Sequence, residues 1–420
     1  MDLLNRNNSL IYCNELLIWF QKNKLFSFSP ISHKRSEIIL GNETPENNII
    51  SMNISENGII TLGNNSKLIN MVKIHHNGFE LLGQYLHSKR LNISIYRQDK
   101  GEIIIGDKFG DLYSLSFNST PSITEQGCLQ AVSGEDSDDD NMQESSLNVG
   151  LIPKTGHLST ITCSSIGNDN KFLFTGNKCG KIWVSNIDNL ENTVSILCGH
   201  SDAVSSICEV NIDDTSHRFI VSSSFDRRIK LWNYLDGTEI DTVHLEVSYN
   251  SLLKHILSLV LQFTPLEIKY SSTMKKVFIR CESLCGIIAI SLTLDDGTRS
   301  YRLIKECHVV SLNTIPYSLE INDINDKSVL VTLEEFANAK ATEGAILWYM
   351  GENCGDLPKP IALYSCGPYS RNIDTQSLDY SIISSILLGT TLKKASATSE
   401  SVCADGNCLK RVKTSDEYDT

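Results

Sequence analysis

The sequence predicts an all-β fold assembled from repeated units, and three observations carry this prediction. Two stretches about 43 residues apart open with Gly-His, at Gly156-His157 and Gly199-His200. Each pair is followed by two apolar runs, a turn and a third run that contains a tryptophan, Trp183 in the first stretch and Trp232 in the second. Short apolar runs separated by turn residues continue through most of the chain, which is typical of antiparallel sheets.

The second repeat supplies four strand-length runs, the number that one four-stranded unit needs. Turn residues separate these runs, at Asp213-Asp214, Phe225-Asp226-Arg227 and Asp236-Gly237. A period of ~40–45 residues, with Gly-His near the front and Trp near the end, is typical of one blade of a WD40 propeller. We therefore interpret the repeat as a blade with strands at 203–210, 218–223, 227–233 and 238–243.

Three residues of this blade are predicted to form a structural network. In WD40 blades the histidine of Gly-His is tied to the aspartate before the third strand, which are His200 and Asp226 here. A hydroxyl group on the second strand and the indole of Trp232 complete the network. Because a buried and fully paired polar network stabilises one strand register, we interpret His200, Asp226 and Trp232 as scaffold and not as catalytic groups.

The rest of the chain extends the pattern to a seven-bladed WD40 β-propeller occupying residues 1–394. The amino-terminal strands at Leu10–Cys13, Leu16–Phe20 and Leu25–Phe28 have no evident fourth strand, and Ser381–Leu388 is expected to supply it. That pairing would close the ring and remove an open sheet edge. The remaining blades are expected at 49–85, 92–117, 266–306 and 317–350.

Two polar segments are expected to be disordered. The formal charge of −13 is concentrated in an insertion at about 119–147, where six carboxylates fall between Glu135 and Glu144. This insertion follows the third strand of a blade, and it carries too little apolar surface to offset its ordering entropy. Residues 395–420, rich in Ser, Thr and charge, are expected to form a flexible tail.

Composition argues against a membrane span, a secreted scaffold and a metal site. The most apolar stretch, Ser251–Phe263, is broken by Lys254 and His255 and suits an amphipathic helix covering the propeller. The amino terminus lacks the apolar core of a signal peptide, so an intracellular protein is expected. The 13 cysteines include no Cys-x-x-Cys pair, which favours free thiols over metal ligands.

The order of local motifs resembles one family. Ser88-Lys89-Arg90 is followed by the string Gly106–Leu115, then by the acidic insertion, and then by Gly156–Ser159. Within the string, the pattern Asp-Lys-x-Gly-Asp-x-Tyr-Ser is absent from generic WD40 blades. Over residues 88–243 the chain resembles the non-catalytic WD-repeat subunits of the eukaryotic tRNA (guanine-N7-)-methyltransferase.

The resemblance implies a propeller that binds a separate catalytic methyltransferase subunit in a nuclear heterodimer. It would help to hold tRNA while one guanosine of the variable loop is methylated at N7. The chain has no Gly-rich turn of the kind that binds S-adenosylmethionine, so no catalytic residue, cofactor or small-molecule substrate is expected. The alternative is a WD40 scaffold of another nuclear complex, for ribosome biogenesis or ubiquitin ligation.

The chain departs from the family at one place. Where the family typically reads Asp-Arg-Asp-Glu-Lys-Ile-Arg, this chain has Asn177–Trp183. Lys178 and Lys181 retain basic positions, but Trp183 replaces the last basic residue, which the resemblance pairs with an acidic side chain of the catalytic subunit. We expect Lys178, Lys181 and Trp183 to contact the partner, since Trp is a frequent interface anchor. The alternative is that Trp183 covers the blade and the lysines are solvated.

Overall fold

The computed structural model describes residues 10–365 except for several gaps. The gaps are 14–15, 29–34, 43, 45–46, 56, 76–77, 117–151, 212–217, 249–259, 283, 285, 296–299, 304–307, 312–315, 325–326, 336–343 and 352–358. These described residues are β-strands joined by turns, so the all-β prediction is confirmed. None of their segments is a helix long and apolar enough to cross a membrane.

The described strands form seven antiparallel sheets of four or five strands, with one two-stranded ribbon. Sheet 1 holds β1 (Leu10–Cys13), β2 (Leu16–Gln21), β3 (Lys24–Phe28) and β4 (Arg35–Ile39). Sheet 2 holds β5 (Ile49–Ile54), β6 (Ile59–Asn64), β7 (Leu68–His75) and β8 (Gly78–Leu86). Sheet 3 holds β9 (Leu91–Arg97), β10 (Glu102–Asp107), β11 (Asp111–Ser116) and β12 (Thr155–Gly156).

The carboxy-terminal half continues in the same way. Sheet 4 holds β13 (Ile161–Ile166), β14 (Phe172–Asn177), β15 (Lys181–Asn186) and β16 (Asn189–Cys198). Sheet 5 holds β17 (Val204–Val210), β18 (Phe219–Ser224), β19 (Arg228–Asn233) and β20 (Thr238–His244), and the ribbon is β21 (Glu246–Ser248) with β22 (Val260–Gln262). Sheet 6 holds β23 (Pro265–Ser271), β24 (Lys276–Cys281), β25 (Gly286–Asp295), β26 (Ser300–Leu303) and β27 (His308–Ser311). Sheet 7 holds β28 (Pro316–Ile324), β29 (Lys327–Glu335), β30 (Gly344–Gly351) and β31 (Lys359–Ser365).

The first strands of consecutive sheets lie side by side. From sheet 2 onward β5, β9, β13, β17, β23 and β28 contact one another in that order, and β28 also contacts β1 of sheet 1. Hydrogen bonds join neighbouring sheets, as when Asn92 Nδ2 donates to the carbonyl of Ile161 at 2.7 Å and Thr162 Oγ1 donates to that of Val204 at 2.6 Å. These bonds keep each sheet in register with the next, which positions the turns between strands.

Apolar side chains fill the spaces between the sheets. Between sheets 4 and 5, Phe174, Trp232 and Tyr234 belong to one buried cluster. The ring of Tyr234 meets that of Phe174 edge-on at 4.9 Å, a favourable aromatic geometry. Packing of this kind makes the turns at the strand ends rigid supports for exposed side chains.

Two sequence predictions, one about sheet 1 and one about the ribbon, differ from the described structure. The amino-terminal strands do not need a carboxy-terminal partner, because β4 pairs with β3 along Lys24–Phe28 and completes sheet 1 locally. Pairing with a nearby strand costs less loop-closure entropy than pairing with a strand more than 300 residues away. Within the expected helix at Ser251–Phe263, residues 251–259 lie outside the described residues, and Val260–Gln262 are instead strand β22, which pairs with β21. Ser381–Leu388 and the tail 395–420 lie outside the described residues.

The acidic insertion falls where the sequence indicated. β11 ends at Ser116, and β12 pairs with its beginning through Asp111 and Leu112. The chain between these strands therefore separates the third strand of sheet 3 from the fourth. Residues 117–151 lie outside the described part, so their disorder stays a prediction.

Candidate protein-binding face formed by the loops before first and third strands

The histidine network of sheet 5 has the geometry expected of a scaffold. His200 Nδ1 lies 2.9 Å from Asp226 Oδ2, and its Nε2 lies 2.8 Å from Ser222 Oγ. The indole of Trp232 donates to the same hydroxyl at 2.8 Å. Burial disfavours the Asp226 carboxylate, but hydrogen bonds from His200 and two backbone amides hold its pKa at about 2. Every polar atom of the network is engaged, which suits a structural role.

Sheet 4 contains a variant of this network. Trp183 does not occupy the position along the third strand that Trp232 occupies in sheet 5. His157 Nε2 lies 2.7 Å from Thr175 Oγ1, and Asn177 Nδ2 donates to its Nδ1 at 3.1 Å. Trp183 is paired in register with Thr175, as Lys230 is with Ser222 in sheet 5. Its indole packs on the imidazole of His157, and burial lowers the pKa of that histidine to about 4.

Sheet 3 departs further, because Ile105 occupies the position of the hydroxyl residue. His87 is buried there, and its Nε2 has no hydrogen-bond partner among the described residues. Tyr113, in register with Ile105, packs edge-on against the imidazole at 4.9 Å. Burial lowers the pKa of His87, which keeps the ring neutral. In sheet 3 and in sheet 4 alike, an aromatic side chain of the third strand covers the loop histidine.

The family-specific string of sheet 3 converges on Lys89. The Nζ of Lys89 lies 3.0 Å from Asp107 Oδ2 and 2.9 Å from Asp111 Oδ2, and it donates to the Tyr113 hydroxyl at 3.1 Å. These hydrogen bonds raise the pKa of Lys89. The other carboxylate oxygen of Asp107 accepts the backbone amides of Phe109, Gly110 and Asp111. The side chains of the string therefore shape one turn, and they pair the charge of Lys89 within the chain.

Close backbone packing joins this turn to the next loop. Gly110 has a φ of +107°, and a Cβ atom there would lie 2.5 Å from the carbonyl oxygen of Ser159 and 2.6 Å from that of His157. Gly180, with a φ of +76°, packs in the same way on the carbonyls of His200 and Asp202. Glycine is required at both turns because any side chain would clash and strain the backbone. We call the resulting surface the loop face; it comprises 87–90, 107–110, 157–160, 177–181 and 199–202.

The loop face carries both the predicted partner residues and two that sequence reasoning missed. Lys178 and Lys181 are exposed on it, while Trp183 is half-buried because His157 takes one side of its ring. Phe109 is 56% exposed and Leu158 is 103% exposed. The sequence did contain a signal for each residue. Phe109 fills the first variable position of the family string, and Leu158 follows Gly-His where the next repeat has Ser201.

No group of three or more His, Cys, Asp or Glu side chains in the described part of the chain could hold a metal ion. Cys163 is buried, and burial raises the pKa of its thiol to about 12, as it does for Cys208. Such thiols are unreactive. Cys179 and Cys198 are exposed.

Comparison with known proteins agrees with the motifs. A family model described as the tRNA methyltransferase TRM82 WD40 domain matches residues 21–151, and a WD domain, G-beta repeat model matches residues 191–233. A solved chain from the "Crystal Structure of Mitotic Checkpoint Complex" superposes with a TM-score of 0.54 at 13% identity, covering 79% of this chain and 84% of that one. This likeness concerns the fold alone. The WD40 propeller prediction is thereby confirmed, while the number of seven blades stays a prediction.

Curated relatives carry one description, the tRNA (guanine-N(7)-)-methyltransferase non-catalytic subunit. The wdr4 protein of Dictyostelium discoideum is 26% identical over 257 residues, which are 61% of this chain and 50% of the relative. TRM82 of Saccharomyces cerevisiae is 28% identical over 189 residues, 44% of this chain and 35% of the relative. Human WDR4 is 24% identical over 158 residues, 38% of this chain and 31% of the relative.

The chain thus spans half or less of the length of these relatives. Their names agree with the prediction that this chain is not an enzyme. Residues 21–151 match the TRM82 WD40 model, and the chain is similar to the non-catalytic subunits of the tRNA (guanine-N7-)-methyltransferase, as its motifs predicted.

Proposed function

We propose that this chain is the non-catalytic subunit of a nuclear tRNA (guanine-N7-)-methyltransferase. It binds the catalytic subunit in a one-to-one heterodimer, and through that complex it supports N7-methylation of a guanosine in the tRNA variable loop. The observation that carries the proposal is the family-specific string: Asp107, Asp111 and Tyr113 hold Lys89 and so build one turn of the loop face. The similarity to named non-catalytic subunits supports it.

The loop face suits protein binding because it is rigid before the partner arrives. The backbone of its turns is held by carboxylate and amide oxygens, Asp107 in sheet 3 and Asn177 in sheet 4. A preorganised surface loses little conformational entropy on binding, so more of the contact energy contributes to affinity. Lys178 and Lys181 are exposed and have no ion pair among the described residues, so they are available to carboxylates of a partner.

The proposal assigns all the chemistry to the partner. This chain would bind and stabilise the catalytic subunit, which would hold S-adenosylmethionine, and tRNA would be held through the assembled complex. No cofactor is assigned to the propeller itself. Its contribution to the rate would then come from positioning, which is effective because a small misplacement of reacting groups is costly.

Reconstitution with labelled S-adenosylmethionine and tRNA tests this function. We expect no methylation by the chain alone, and label at N7 of a variable-loop guanosine when a catalytic subunit from the same source is co-expressed and co-purified. Imaging of the tagged chain tests the nuclear location. Recovery of ribosome-biogenesis or ubiquitin-ligase proteins without any methyltransferase would instead favour the alternative scaffold role. Normal N7-methylguanosine after depletion of the chain would contradict the proposal.

A further inference from the structure

We infer that Phe109 and Leu158 form an apolar anchor at the centre of the loop face, and that the catalytic subunit covers this pair with an apolar surface rimmed by acidic side chains. The inference rests on the proposed function and adds to it the chemistry of the contact. It differs from the sequence prediction, which assigned the anchor to Trp183.

The backbone segments that carry the two residues pack against each other although they are far apart in sequence. Phe109 immediately precedes Gly110, and Leu158 lies between the two residues whose carbonyls pack against that glycine, His157 and Ser159. The amide of His157 also donates to the carbonyl of Gly110 at 2.9 Å. The turn after β10 and the loop before β13 are thus one packed unit that presents both side chains together.

The equivalent loops of the next sheet do not expose large apolar side chains at these two positions. The matching positions of the following sheet, before Gly180 and after His200, hold Cys179 and Ser201, which are smaller or polar. Single exposed apolar residues are ordinary, but two on loops that pack against each other offer apolar area that one partner can desolvate. Phe109 is also held in place, with Lys89 Nζ 5.2 Å and Lys108 Nζ 4.9 Å from its ring centroid.

The charges around the pair indicate an acidic partner. Lys108, Lys178 and Lys181 are exposed, and the described residues provide no ion pair for any of them. The carboxylates of Asp107 and Asp111 nearby already bind Lys89. Asp202 is also exposed on the loop face, and Lys89 offsets only one of the two carboxylates that it binds. Set against these two negative charges, the three lysines leave the surface positive on balance, and carboxylates at the rim of a partner would complement it.

A protein complements this surface better than RNA does. Phosphates could bind the lysines, but a fully exposed leucine offers no planar face for stacking on a base, which is the usual apolar contact of RNA-binding surfaces. A buried aromatic ring such as that of Phe109 is typical of the core of a protein interface, and Leu158 would add apolar area beside it. Trp183 contributes only the side of its ring that His157 leaves uncovered.

Affinity of the full chain for the purified catalytic subunit tests the inference. Phe109→Ser and Leu158→Ser remove exposed side chains, so both variants should retain the melting temperature of the parent chain. Each is expected to weaken binding by roughly tenfold or more, as hot-spot residues do. Leu235→Ser is the matched control: Leu235 is 41% exposed in the turn between β19 and β20, at the opposite end of the strands, and this variant should bind as the parent does.

Alkylation of Cys179 tests the inference independently in the chain without substitutions. This exposed thiol lies beside Lys178 on the loop face. Its reaction with N-ethylmaleimide, followed by mass spectrometry, should slow when the catalytic subunit is added but not when albumin is added. An unchanged rate in the complex would overturn the inference even if a serine variant failed to fold.

The outcomes separate the inference from the proposed function. If the parent chain does not bind the catalytic subunit, the proposed function fails. If it binds and both serine variants bind equally well, the function stands and the anchor is wrong. If the variants retain affinity for the subunit but lower tRNA binding by the complex, the surface is an RNA contact and the inference is overturned.

Discussion

The indole of Trp183 packs on the imidazole of His157 with the ring centroids 4.5 Å apart and the planes inclined by 33°. The residue by which this chain departs from the family it resembles thus has a partner in the loop before its own sheet. His157 is in turn bound by Thr175 and Asn177, so Trp183 covers a buried polar network. Trp183 therefore covers its blade, as the alternative interpretation expected, and its contact with a partner stays a prediction.

Replacement of Trp183 should consequently affect stability as well as binding. Trp183→Ala removes the stacked ring and exposes His157, and we expect a loss of about 1–3 kcal/mol in the free energy of unfolding. Trp183→Phe, which retains a ring, should lose less. Chemical denaturation measures both variants. An unfolding midpoint of Trp183→Ala equal to that of the parent would mean that the stacking contributes nothing to the fold.

Charge reversal at Lys178 and Lys181 should weaken partner binding in a salt-dependent manner. These exposed lysines act through screened attraction, so Lys178→Glu and Lys181→Glu should mainly lower the association rate, and more at low salt than at high salt. Lys171→Glu is the control, because Lys171 is exposed near the opposite end of β14. Stopped-flow association at two ionic strengths checks this; equal rates for all three variants and the parent would place the contact elsewhere.

Removal of the charge on Lys89 should disturb the turn that the family string builds. Lys89→Met leaves the buried Asp107 carboxylate and that of Asp111 without their shared cation, and we expect a loss of about 2–4 kcal/mol in stability. Lys89→Arg retains the charge and should lose less. Thermal unfolding compares the two variants. If Lys89→Met were as stable as the parent, Lys89 would have to be a solvated surface residue.

Acid should destabilise sheet 5 through Asp226. Its pKa falls from 3.8 to about 2 in the folded chain, so its contribution is present above the unfolded value and is lost as the pH falls from about 4 to about 2. The contribution at neutral pH is about 2 kcal/mol at most. Asp226→Asn should be less stable at pH 7 and should show a shallower acid dependence over that window. Denaturation at pH 7, 4 and 2.5 checks this, with identical acid dependence as the contrary result.

Replacement of residues 119–147 by a short Gly-Ser linker should leave the fold and partner binding nearly unchanged. The segment is polar and strongly acidic, so its composition provides little apolar surface for packing. A linker suffices to connect β11 with β12, whose pairing at Asp111 and Leu112 is independent of the insertion. Calorimetric melting and the subunit affinity check the prediction. A fall of more than about 5 °C, which for a domain of this size exceeds 1 kcal/mol, would show that the segment packs on the propeller.

Local patterns were sufficient to predict the repeat and its network. His200, Asp226 and Trp232 lie at spacings that recur in WD40 blades, and their hydrogen bonds follow from strand pairing within one sheet. The place of the acidic insertion was also predictable, since the third strand of sheet 3 has a recognisable end. The strand at Val260–Gln262, within the stretch expected to be helical, was not predictable, because a short apolar run fits either period and pairing with β21 decided its structure.

The sequence by itself determined the all-β class, the WD repeat, the resemblance to a methyltransferase subunit and the basic residues Lys178 and Lys181. Only the tertiary structure decided that β4 completes sheet 1, that Lys89 is neutralised, and that the loops carrying Phe109 and Leu158 pack together. The physical reason is that spacing reports on contacts along one strand or hairpin. Contacts between sheets depend on packing of backbone segments such as Gly110 against His157, which no local pattern encodes.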